Sequence, residues 1–316
     1  MQTRPIKEAP SPTGHDRDPH DKDRTDQDLS TFLVIPYFNN DRGRPGVERP
    51  LNSSIVAWLC PSIIVNGQPG KNNFQRGALT SVTVDVSNWG AGTLSAPVYV
   101  RVWWADPSTG FTTLNLFGQE TLVVPTGGSV RRTKPIVGTI PTSAPPHVCL
   151  LVNVWSPLEA GPKPAAINPT NDRRWAQFNV SEIAAPPGQP FHFTFWVGNP
   201  LARAATFEVT AGLVAREALP MLERVRRAEA VQVQRASLRL IEARDFRQGL
   251  RERGDEGQPQ RRLTLKSGER RPVHLAGELP ADMQPGTSTV FEVVSIGVGD
   301  DDREIVGSLG VIVTAR

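Results

Sequence analysis

The sequence predicts an all-β fold of two β-sandwiches in tandem, the second carrying a helical insertion, and three observations support it. First, Leu79–Asp106 holds two runs of strict alternation: Val82, Val84 and Val86, then Val98, Val100, Val102 and Trp104, face one way, while Ser81, Thr83, Asp85 and Ser87 face the other. A side-chain period of two with β-branched residues on one face marks strands buried on one side. Second, the layout returns as Phe193, Phe195 and Val197 before Asn199, followed by Val209, Ala211 and Leu213. Third, 29 prolines, 27 glycines and 7% aromatic residues suit many short strands joined by turns.

A chain of 316 residues is long enough for two domains, each able to bury a core. The net charge of +3 supplies no whole-molecule field to draw it onto nucleic acid or an acidic membrane, so neither is expected as a partner. Cys60 and Cys149 could pair across a sandwich, but two buried thiols are the favoured expectation. No apolar run approaches the length of a membrane span, and the N-terminal residues lack the apolar stretch of an ordinary signal peptide. The expectation is a soluble chain, either cytoplasmic or part of an assembled extracellular particle.

In order, Met1–Asp28 is rich in Asp, Arg, His and Pro and reads as a disordered tail. Its His15, Asp16, Asp18, His20 and Asp21 are taken as tail charges rather than a metal site. Residues 29–52 form an arm or edge strand, interrupted by Pro36, and a loop. Residues 53–183 form the first sandwich. It opens with a strand broken at Pro61 and turned at Asn66–Gly67. The run HVCLLVNVW is apolar on both faces, which implies a central strand, and NDRRWAQFNVSEI closes the unit with Ala176, Phe178 and Val180 inward. Residues 184–190 are a Pro/Gly linker, and 191–316 form the second sandwich.

The insertion, about 216–258, changes composition to Ala, Glu, Arg and Leu, which favour helix. Leu219, Leu222, Val225, Val233, Ala236 and Leu240 make a rough stripe, but Val231/Val233 and Leu238/Leu240 alternate, so a strand flank stays open. The last two strands are expected to form a hairpin around Asp300–Asp302. Asn88 and Asn199 stand 111 residues apart, and GTIP at Gly138 and GELP at Gly277 stand 139 apart. The different spacings place an insertion within the second of two copied units, a tandem duplication.

At Val82–Gly90, a Val-x-Val-x-Val-x-Asn-x-Gly pattern followed by Val98, Val100 and Val102, the chain resembles the bacterial cell-adhesion-related (CARDB-like) domain. That resemblance implies an immunoglobulin-like β-sandwich acting as a spacer, adhesion module or assembly part, and it supplies no catalytic residues. Pro200 and Leu201 replace the glycine turn in the second unit, where the match is weaker.

No nucleophile elbow, zinc-protease signature or phosphate loop is present, and His147, His192 and His274 fall at strand starts or on strand faces beside apolar neighbours. No catalytic, cofactor or metal residues are assigned, and a non-enzymatic protein is expected. Trp104 shares the core face of β-branched neighbours, whereas Tyr99, Arg101 and Trp103 form an outward row suited to a protein interface or sugar stacking, unless another strand, the neighbouring domain or a loop covers them. Arg224, Arg227 and Arg235 of the insertion complete the candidate interaction surface. Interleaved acids such as Glu223, Glu229 and Glu242 favour a solvated helix over a nucleic-acid stripe. Asp300–Asp302 read as a solvated hairpin tip, and Arg253–Gly254–Asp255 as a chance tripeptide. The function expected is a structural or protein-interaction module with other subunits as partners; the alternatives are a carbohydrate-binding module and an accessory protein of an enzyme complex.

Overall fold

The computed structural model describes residues 31–71, 73–91, 95–159, 167–226, 237–242, 259–298 and 303–316. The Met1–Asp28 tail with its histidine–aspartate cluster, Arg227, Arg235, Arg253–Asp255 and Asp300–Asp302 lie outside the described residues.

Among the described residues the protein is all-β with one short α-helix. In the first unit, β4 (Leu79–Asn88) is the hub of one sheet and pairs with β1 (Leu33–Val34), β2 (Ile63–Val65), β7 (Val130–Arg132) and β8 (Ile136–Thr139); β3 (Gln68–Pro69) extends it from β2. The facing sheet runs β10 (Trp175–Phe178), β9 (Cys149–Trp155), β5 (Ala96–Ala105), β6 (Asn115–Val124). Val82, Val84, Val86, Val98, Val100 and Val102 are all fully buried in the core between these sheets, because alternation points every second side chain of β4 and β5 inward. β9 sits between β10 and β5, the central place its continuous apolar run requires.

In the second unit, one sheet runs β11 (Val180–Ala185), β18 (Arg303–Ala315), β17 (Ser288–Val298), β13 (Ala205–Leu213), β15 (Gln260–Leu265). The other runs β12 (Pro190–Gly198), β16 (Arg270–Glu278), β14 (Ser237–Glu242). Phe195, Val197, Phe207, Val209, Phe291 and Val293 fill the core. β17 and β18 pair antiparallel from Ser288↔Thr314 to Val298↔Arg303, and β11 joins in parallel, along β18. The units are wired alike: β4 pairs β8 as β12 pairs β16, and β5 lies between β6 and β9 as β13 lies between β15 and β17.

Several local expectations change. Residues 53–62 form turns with one bridge, Leu59↔Phe178, and the strand begins only at Ile63, after Pro61. Asn66 and Gly67 do turn the chain, both at positive φ, 47° and 73°. The closing segment of the first unit is two strands, broken at Asn179. Ala176, Phe178 and Val180 point into the first core as expected, but β11 hydrogen-bonds to the second unit. The arm 31–37 packs into its own sandwich, with Leu33, Ile35 and Tyr37 in the core. Trp104 is half-buried at the core margin; the fully buried tryptophan is Trp58. Within the insertion, a 3₁₀ turn (Arg216–Ala218) leads into α1 (Leu219–Arg226), and 237–242 is the strand β14. Leu238 and Leu240 alternate, and the open edge of β16 offers a ladder, so pairing overrides helix propensity there.

Helix α1 does not project from the molecule. Met221, Leu222 and Val225 sit in the first unit's core, Val225 packs over Gly70, and Arg226 reaches Glu182 at 3.1 Å. Only Glu223 and Arg224 of its last turns are exposed, so in its described part the insertion is a strut between sandwiches more than an outer contact surface.

Candidate functional site

The seam between the sandwiches positions a cleft. Trp58, fully buried, lies flat on β18 at Gly310, where a Cβ would stand 2.4 Å from the ring. Asn179 ties three segments: its backbone N–H donates to Trp58 O at 2.7 Å, and its Nδ2 donates to Ser108 O at 2.8 Å and Ser308 O at 3.0 Å. Trp196 and the 107–109 loop exchange two backbone hydrogen bonds, Trp196 N–H to Pro107 O at 2.9 Å and Thr109 N–H to Trp196 O at 3.0 Å. The approach of Gly110 to Gly198 is so close that neither has room for a side chain: a Cβ on either would meet the other's carbonyl oxygen.

Beside this seam opens a cleft of about 830 Å³. Its first-unit wall is Asp106, Pro107, Ser143, Pro145, Pro146 and His147; the opposite wall comes from β11 (Glu182, Ile183, Ala184) and β12 (His192, Phe193, Thr194, Trp196). The outward alternation of β12 presents His192, Thr194 and Trp196 on one face. Arg270 lies 4.3 Å from the Trp196 ring centroid and is itself held by Asp106 at 2.7 Å, so the indole is fixed in place. Thr194 Oγ1 and His274 Nδ1 share a hydrogen bond of 2.8 Å. His147 meets Phe193 edge-on, centroids 6.1 Å apart. Burial pushes His147 below the ordinary imidazole range, opposed by the Glu182 carboxylate, and burial with the neighbouring His192 lowers His274 as well. Both rings are therefore neutral at pH 7.

The sequence-expected row divides. Tyr99, Arg101 and Trp103 do share the outer face of β5. Trp103 is half-buried, stacked on Trp175 at 5.4 Å, and belongs to a small cluster with Phe111, Leu114 and Ile167, so the 106–114 loop covers that end. Tyr99 and Arg101 stay exposed, and Tyr99 stacks on Trp155 of β9 at 4.6 Å with 17° between planes. Trp155 was not in the expected row because only the β5–β9 register, Tyr99↔Trp155, brings it there. Val123 on β6 adds exposed apolar surface beside Pro97. Arg224 is exposed on α1 and joins neither group.

Cys60 and Cys149 are buried and unpaired; burial pushes Cys60 up to about 12 and raises Cys149 well above the ordinary thiol range, which leaves both as inert thiols. Among the described residues no cluster of His, Cys, Asp or Glu could hold a metal ion, and no helix is long and apolar enough to cross a membrane.

No protein-family profile and no curated protein matches the chain. Among solved structures it is similar to the PapD-like domain 7 of human CEP192 (8% identity, 43% of this chain and 80% of that one, TM-score 0.26). It is also similar to the CupB6 tip adhesin of Pseudomonas aeruginosa (9%, 77% and 92%, 0.22) and to the collagen-binding domain of a Staphylococcus aureus adhesin (8%, 42% and 93%, 0.21). At such scores the overlays carry no functional weight.

Proposed function

We propose that the protein is a non-enzymatic interaction module: two sandwiches fastened into one body, copies of an ancestral unit, that serve as a part of a larger assembly and meet a protein partner through the outer face of β6, β5 and β9. The observation that supports this reading is the exposed Tyr99–Trp155 stack with Arg101 beside it on one strand. Rigid aromatics bring contact area at low entropic cost, and an arginine at their side adds planar donors; together they make the usual centre of a binding surface. Each ring uses one face on the other, which leaves the opposite faces, the edges, the phenol hydroxyl and the indole N–H for a partner.

The test is site-specific photo-crosslinking in the native host. A crosslinker at Thr121, across from Tyr99, is expected to capture one discrete protein, and Trp155→Ala is expected to abolish the capture while leaving the melting temperature within about 2 °C. Equal capture from a crosslinker at the remote, exposed Leu213, or capture unchanged by Trp155→Ala, overturns the proposal.

A further inference from the structure

The cleft at the seam is a second surface, separate from the Tyr99–Trp155 face, and its chemistry narrows what it can take. Its 830 Å³ lies within the roughly 300–1,000 Å³ of small-molecule sites, and sites of this kind favour the junction between domains. Among the described residues no lysine or arginine is part of its lining, and the two guanidinium groups beside it, Arg270 and Arg226, are engaged by Asp106 and Glu182, which disfavours a phosphate or a carboxylate as ligand. Both lining carboxylates already have a guanidinium partner, Asp106 with Arg270 at 2.7 Å and Glu182 with Arg226 at 3.1 Å, so the wall is no trap for a free cation.

What remains is a neutral, ambivalent set. Burial holds His147 toward the neutral imidazole, with one donor and one acceptor; the Ser143 hydroxyl does both, and Thr194, already bonded to His274, keeps a lone pair; the carboxylate oxygens keep lone pairs beyond those their arginines use. A ligand whose own groups both donate and accept, as hydroxyls do, matches such a set. The apolar part of the wall is planar or rigid: Trp196, Phe193, Pro107, Pro145 and Pro146. The Asp106–Arg270–Trp196 chain holds the indole before any ligand arrives, so little ordering is needed on binding.

We infer that the cleft between the sandwiches is a binding site for a short, neutral saccharide, with the fixed Trp196 ring against the apolar face of a sugar and His147, His192, Ser143 and Thr194 on its hydroxyls. The site is non-catalytic. No pair of free carboxylates brackets the space as glycosidic hydrolysis requires, since Asp106 and Glu182 are both ion-paired.

The full chain on a glycan array carrying neutral and acidic glycans, followed by calorimetry with the glycan retained, tests this. Retention of a neutral glycan is expected at one site per chain. Affinity is expected to fall at least tenfold in Trp196→Ala and in His192→Ala and to be unchanged in Trp155→Ala, with melting curves confirming that each variant is folded. His192→Ala keeps the test valid should Trp196→Ala loosen the seam. Retention of nothing, of acidic glycans only, or of a neutral glycan whose affinity the two cleft substitutions leave unaltered overturns the inference. A neutral glycan lost in Trp155→Ala instead would overturn it and count against a protein partner on the Tyr99 face. Spermidine and a deca-proline peptide are titrated alongside, and saturable binding of either in place of a glycan overturns the saccharide assignment.

Discussion

Trp58 and Glu292 meet across the two sandwiches: the indole Nε1 donates a 3.0 Å hydrogen bond to Glu292 Oε1, and the ring beneath it rests on Gly310. One residue lies in an irregular segment of the first unit and the other on β17 of the second, 234 positions apart. Burial pushes the Glu292 carboxyl up to about 7, and the hydrogen bond from Trp58 opposes that rise.

The seam is therefore sensitive to pH. The folded state holds the Glu292 proton more tightly than the unfolded chain, whose carboxyl titrates near 4.5. The contribution to stability is full below that value and is lost as pH rises through about 7. Over the window the loss is about 2–3 kcal/mol, somewhat less than the full shift because the side chain keeps some contact with water. Glu292→Gln keeps an acceptor for Trp58 and cannot ionise. Urea titrations at pH 4 and pH 8 are expected to show the variant equal to wild type at the acid end and more stable at the alkaline end; equal stability at both would show that the carboxyl stays solvated.

Gly310→Ala tests the contact on the other side of the same ring. The added methyl would stand 2.4 Å from Trp58, whose indole cannot fold away as a flexible chain would. Overpacking of this kind costs about 1–3 kcal/mol. Gly212→Ala on β13 meets no atom within 4 Å and serves as the control, with an expected change within about 0.5 kcal/mol. Equal melting temperatures for the two variants would mean that Trp58 is not seated as described.

Asp41 and Arg49 form a buried, two-pronged ion pair, with Nη1 to Oδ1 at 3.1 Å and Nη2 to Oδ2 at 2.9 Å. Asp41 also accepts the Tyr37 and Gly43 backbone N–H groups, which fixes the loop after the arm against the sandwich. Arg49→Met strands a buried carboxylate and is expected to destabilise by about 3–5 kcal/mol. The double variant Asp41→Asn, Arg49→Met is expected to recover part of that loss. A double variant no more stable than the single one, by denaturant melts, would place the energy in the backbone contacts alone.

What was legible in the sequence was whatever has a period. Val82, Val84 and Val86 and then Val98, Val100 and Val102 announce two half-buried strands because a pleat leaves no other place for that pattern. Asn88 and Asn199 were legible as matched positions, and each proves to accept the N–H two residues on, from Gly90 at 3.0 Å and Leu201 at 2.9 Å, an Asx turn that ends its strand. Trp58 has no period around it; its burial depends on a glycine 252 positions later, and no local signal encodes that. The same holds for the cleft, whose walls are 76 residues apart from Asp106 to Glu182, and for Trp155, which joins Tyr99 only through strand register. Composition misled at 237–242, where helix-forming residues pair as a strand because the edge of β16 was available.

Helix α1 makes the folding of the two sandwiches a single event. Met221, Leu222 and Val225 belong by sequence to the second unit's insertion but pack in the first unit's core, so that core is incomplete until the second unit has brought α1 into place. Leu222→Ala removes a fully packed side chain at an expected cost of about 2–5 kcal/mol. Of the tryptophans only Trp196 lies in the second unit, so tryptophan fluorescence reports mainly on the first sandwich, while far-ultraviolet circular dichroism reports on both. Coupled units give one coincident urea transition by the two probes, and Leu222→Ala shifts it to lower urea as a whole without splitting it. Two separate transitions in the parent protein, or a loss in Leu222→Ala confined to the circular dichroism signal with fluorescence unmoved, would mean that α1 is not part of the first core.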